Sequence, residues 1–169
     1  MTQNTQTDEL LRQLDLPQLA AQLFIIGFRG DSLEQNPRLQ ESLGLLSPGG
    51  FVLFDRDMVH NQPVHNIRSP KQVGDLNAEL RASSALPVWI GVDQEGGVVN
   101  RLKADYGFPQ TRSHKALGQL DDPDTTRMEG RRIAQVLAET GFDLNFAPVV
   151  DVAIEPDGPA IGRKERCFG

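Results

Sequence analysis

The chain has 169 residues, 38% of them hydrophobic and 24% charged, with a formal net charge of −6 and an isoelectric point near 5.0. That is the composition of one globular domain with a real core, and the acidic balance argues against a nucleic-acid partner. The one cysteine, Cys167, excludes an intrachain disulfide, and no apolar run approaches a membrane span, so the expectation is a soluble cytoplasmic protein with no membrane partner.

Residues 1–15 read as a polar N-terminal extension open to disorder, and 16–169 as the folded domain. Four strand-length apolar runs follow: LFIIGF (23–28), GFVLF (50–54), PVWIGV (87–92) and LNFAPVV (144–150). Their hydrophobicity is nearly continuous, the pattern of parallel strands covered on both faces. A short helix is predicted from Pro37 to Leu46. A second spans 69–84, with Ser69 at the N-cap, Pro70 at the first helical position and Gln72 at capping-box spacing. Val73, Leu76 and Leu80 give it one apolar stripe. A third helix over 122–140 repeats the plan. Asp122 caps it, Pro123 opens it, Ile133, Val136, Leu137 and Thr140 share a face, and Gly141 ends it in a left-handed conformation.

Strands alternating with helices predict an α/β fold with a parallel sheet and right-handed crossovers, as a barrel or an open sheet. The loops at 55–69, 93–111 and 151–169 are long and polar and leave the C-terminal ends of strands. Ligands bind at that end in both architectures. Within PVWIGVD, alternation sends Val88, Ile90 and Val92 to one side and Trp89, Gly91 and Asp93 to the other. Asp93 then sits at the rim. Gly96 and Gly97 permit a sharp turn that can return Arg101 to the same mouth. Two readings stay open: Asp93 caps a turn and Arg101 neutralises it, or the two grip a ligand. Asp151 is a second strand-end carboxylate, and two such groups converging favour a polyol, whose hydroxyls donate to carboxylates.

No metal and no cofactor is expected. His60 and His65 lie five apart on a proline-containing loop, which is weak ligand spacing, and read as solvated. His114 gets no role, and Cys167 reads as a small buried residue. An open flavodoxin-like sheet using Asp93 and Asp151 for a metal or phosphate is disfavoured, because neither glycine-rich phosphate motif occurs.

GVDQEGGVVNRL, LNFAPVVDV and AIGRKERCFG, in this order and with GGFVLFDRDM before them, resemble the N-terminal part of family 3 glycoside hydrolases. The β-N-acetylhexosaminidase branch is most similar, and the likeness runs from about Gln22 to Gly169. The resemblance implies a TIM barrel, of which this chain would hold about the first four βα units, with 16–169 as its N-terminal half. It implies retaining removal of terminal β-linked sugars, with a β-N-acetylglucosaminide first and other β-glycosides open. Asp93, Arg101 and Arg166 are the implied substrate-binding residues, and Glu95 is structural support. Two features depart from the branch. Val98 stands where Arg or Lys is common. The family's Lys-His-Phe-Pro-Gly-His-Gly segment, acid/base loop and Ser-Asp-Asp-like nucleophile motif do not occur in these residues. The expectation is therefore a chain with no catalytic residue of its own, inactive alone, whose unpaired strand edges favour self-association. The alternative is a non-catalytic carbohydrate-binding or interaction module of the same fold.

Overall fold

The computed structural model describes residues 3–60 and 65–169. Its strands are β1 (Ile25–Ile26), β2 (Gly50–Leu53), β3 (Trp89–Val92), β4 (Gln94–Gly96), β5 (Val99–Asn100) and β6 (Leu144–Asn145). Its α-helices are α1 (Gln3–Gln13), α2 (Leu16–Ala21), α3 (Pro37–Leu43), α4 (Pro70–Ser83), α5 (His114–Leu120) and α6 (Pro123–Glu139). One sheet runs β1-β2-β3-β6 with every pair parallel, and β4 and β5 form an antiparallel hairpin. The α/β fold with a parallel sheet is as the sequence predicts.

Register assigns the two faces. Phe51 pairs with Ile90 and Leu53 with Val92, and all four are fully buried beside Val73, Leu76 and Leu80 of α4. The opposite face carries Ile25, Gly50 and Trp89 in register. Trp89 is 57% exposed and Ile25 44%. Continuous hydrophobicity predicts strands covered on both faces, whereas here helices cover only one.

The strands are shorter than the apolar runs. The amides of Leu23 and Phe24 bond back to Ala20 and Ala21 at the end of α2, which leaves only Ile25 and Ile26 to pair. After β6, Phe146 still donates to Val92, but Pro148 has no N–H and pairing stops. The extension expected over 1–15 carries α1, and α2 follows it with a complete Asp15/Gln18 capping box.

Helix ends follow short-range rules. The Ser69 hydroxyl accepts from the Gln72 amide, and Asp122 accepts from the Asp124 amide. The Gln72 side chain accepts from Arg68, not Ser69, so the predicted box is only half made. Gly141 takes φ +76° beyond α6, as its position predicts. Ile90→Ala is expected to destabilise the chain by about 3 kcal/mol, since the residue is fully buried in packed surroundings; urea unfolding checks this.

Candidate functional site

The site grows from the end of β3. Trp89, Gly91 and Asp93 alternate onto the open face, so Asp93 is the first polar side chain above it. Gln94 points the other way and is buried. Its Oε1 accepts from the amides of Arg101 (3.1 Å) and Leu102 (3.0 Å), and its Nε2 donates to Asn100 (2.7 Å). One glutamine thus fixes where the chain re-enters after the hairpin. The turn between β4 and β5 uses Gly96 at φ +99° and Gly97 at φ +60°, where a Cβ would also strike Arg112 or Ser113. Asn145 of β6 reads the same strand end: it accepts from the Gln94 amide and donates to the Gln94 carbonyl, each at 3.0 Å.

Arg101 then turns back toward Asp93, with Nη2 at 3.2 Å from Oδ2. Its Nη1 lies 3.5 Å from Asp55, and its guanidinium sits 5.8 Å from the centre of the Phe54 ring. Asp55 is almost fully buried and also takes Lys103 as a partner, so one carboxylate anchors two cations. Glu95 is 4% exposed and meets Arg166 fork to fork at 2.8, 3.0 and 3.1 Å. That hydrogen-bonded pairing raises the Arg166 pKa above the ordinary guanidinium value.

Asp93, Arg101 and Arg166 line one hollow of about 410 Å³, together with Lys164, Phe146 and Pro159. The three predicted substrate residues therefore share one space. The alternative reading of Asp93 is met in its second half, since Arg101 does neutralise it. Glu95 is turned onto Arg166, in keeping with a supporting role. Asp151 is exposed and does not line the hollow, but its charge, like that of Asp93, acts on Arg166, so the two strand-end acids meet at that guanidinium rather than both facing the hollow. The chain turns irregular after Asn145, which frees Asp151 from any strand direction.

The loop at 55–69 is only partly covered, because residues 61–64 lie outside the described residues. Asp57 organises its start by accepting from the amides of Val59 and His60, from the His60 ring at 2.9 Å and from Arg29 at 2.9 Å. The His60 amide, then its ring, Arg29 and the Val59 amide, hold the Asp57 carboxyl well below the usual carboxylate range. His65 Nδ1 meets Asn66 at 2.7 Å. Among the described residues, no group of three His, Cys, Asp or Glu is placed to hold a metal.

Residues 6–169 match the family model for the glycosyl hydrolase family 3 N-terminal domain. The chain belongs to glycoside hydrolase family 3. A beta-hexosaminidase of Nitrosomonas eutropha is 34% identical over 137 residues, 78% of this chain and 36% of that protein. The family 3 beta-N-acetylglucosaminidase of Paenibacillus sp. has a solved structure similar at TM-score 0.77 and 30% identity, covering 89% of this chain and 27% of that one. NagZ from Neisseria gonorrhoeae, solved with N-trifluoroacetyl-D-glucosamine, matches at TM-score 0.60 and 28% identity over 76% of this chain and 36% of its own. The family 3 domain described here spans less than two-fifths of the length of the curated relatives it matches.

Sequence reading missed Asp55 and Lys103. Asp55 opens a long polar loop directly after β2, which was its only local signal. Asp55→Ala is expected to cost about 3 kcal/mol by leaving Arg101 and Lys103 together without their carboxylate, and adding Lys103→Met should recover part of it in urea unfolding. Asp57 has a depressed folded pKa, so its stabilisation is full above the ordinary carboxylate value of about 3.9 and is lost as pH falls below it. The gap in urea midpoint between the wild-type chain and Asp57→Asn should accordingly be fully open at pH 7, begin to narrow as pH falls below about 4 and close only well below pH 3.

Proposed function

We propose that this domain is the sugar-gripping part of a β-N-acetylhexosaminidase that releases terminal β-linked N-acetylglucosamine with retention. The carrying observation is the hollow that Asp93, Arg101 and Arg166 share at the C-terminal ends of parallel strands. A carboxylate accepts from sugar hydroxyls, and two guanidinium groups donate to them. Phe146 adds an apolar surface for the C–H face of a pyranose. The beta-hexosaminidase relatives support the choice of sugar. The parallel strands in chain order support reading the fold as the opening βα units of a barrel.

Retaining hydrolysis needs a nucleophilic carboxylate and an acid/base group about 5–5.5 Å apart. Asp93 is tied to Arg101, and Glu95 is buried in its fork with Arg166. We therefore place the nucleophile and the proton donor on residues other than these 169, and this chain supplies binding. The single free cysteine supports a cytoplasmic setting.

Calorimetric titration with N-acetylglucosamine tests the reading. The wild-type chain should bind the sugar. Asp93→Ala should abolish binding while changing stability by no more than about 1 kcal/mol, as for a partly exposed ion pair. A chromogenic N-acetyl-β-glucosaminide should be untouched by the chain alone and cleaved by a longer gene product. Binding that survives Asp93→Ala defeats the assignment, and binding without turnover by either product favours a non-catalytic module.

A further inference from the structure

Arg166 reaches the hollow from a segment with little regular structure, so something must fix its main chain. On one side, its amide donates to the Ile161 carbonyl at 3.2 Å. On the other, its carbonyl lies 3.0 Å from Nδ1 of His114. His114 is only 6% exposed and begins α5, directly after the Ser113 N-cap. A carbonyl can only accept, so Nδ1 carries the proton and donates. The His114 ring also stacks on Phe168, with centroids 4.5 Å apart and planes at 13°. One turn further along α5, a Cβ on Gly118 would lie 1.6 Å from the Phe168 carbonyl oxygen, so the helix and the segment are in backbone contact. The Lys115 amide adds a bond to the Glu165 carbonyl at 3.3 Å.

We propose that His114 is a positioning residue, fixing the Arg166 main chain so that the guanidinium is presented in the hollow. Glu95 holds only the tip of that side chain. With the backbone set by Ile161 and His114, the rotamers between are what remains to be ordered on binding, which lowers its entropic cost. His114 touches no ligand and acts through Arg166. Its benefit to sugar binding rests on the function proposed above, while its hold on Arg166 does not.

The test uses the ¹⁵N-labelled chain and the Arg166 Nε–Hε resonance, assigned by its loss in Arg166→Lys. The amide nitrogen of Asn reaches much the same place as Nδ1, so His114→Asn keeps the donor and loses the stack. His114→Phe keeps the stack and loses the donor. His114→Asn should leave the resonance in place and N-acetylglucosamine affinity within about twofold, whereas His114→Phe should shift or broaden it and weaken binding about tenfold. A His114→Phe protein that is less stable but keeps the wild-type Arg166 resonance shows a merely structural role and overturns the proposal. Through-bond ¹⁵N–¹³C coupling between His114 Nδ1 and the Arg166 carbonyl checks the contact without any substitution, and its absence also overturns it. If the wild-type chain fails to bind the sugar while the resonance still responds to His114→Phe, the sugar reading falls and the positioning role stands.

Discussion

The fork between Glu95 and Arg166 is the constraint on which the site is built. Removing one partner of a buried ion pair costs about 3–5 kcal/mol, so the chain cannot leave Glu95 alone in β4. The cation it pairs with is an arginine 71 residues further on. The last segment must therefore fold back over β4, and it carries Pro159, Ala160 and Lys164 with it to wall the hollow. The same bond that satisfies a buried charge thereby creates a binding surface.

A second layer of charge works in the same manner one strand away. Asp55 lies beneath Arg101 and Lys103, and Arg101 spans from it to Asp93. Cations between buried and half-exposed carboxylates keep a direction that a lone surface arginine would not. Gln94 supports this from the main chain by setting the backbone at Arg101. Asp93, Gln94 and Glu95 are adjacent in sequence and perform three distinct tasks because strand alternation and a two-glycine turn send each a different way.

What was legible in the sequence was what short-range physics encodes. Ser69 and Asp122 cap their helices with partners two or three residues away, and Gly141 ends a helix where its left-handed φ is needed. The DQEGG stretch marked the rim because strand, carboxylate and turn signals coincide there. Strand lengths were over-read because Leu23 and Phe24 are claimed by backbone bonds to α2, which no hydrophobicity count registers. The helix α5 escaped because seven residues, HKALGQL, are too few for a clear apolar stripe. Asp55 was silent because its two cations lie 46 and 48 residues further along, and no local spacing records that. Asp151 acts on Arg166 by its charge without lining the hollow, because the strand that would have aimed it ends at Asn145.

The open face of the sheet has a spectroscopic corollary. The chain contains a single tryptophan, and that tryptophan is Trp89, 57% exposed in register with Ile25. Its indole emits from a watery environment while the strands beside it are already in the core. Any polypeptide that closes over this face would move that emission to shorter wavelength, so the molecule carries an intrinsic fluorescent gauge of whether its apolar surface is covered.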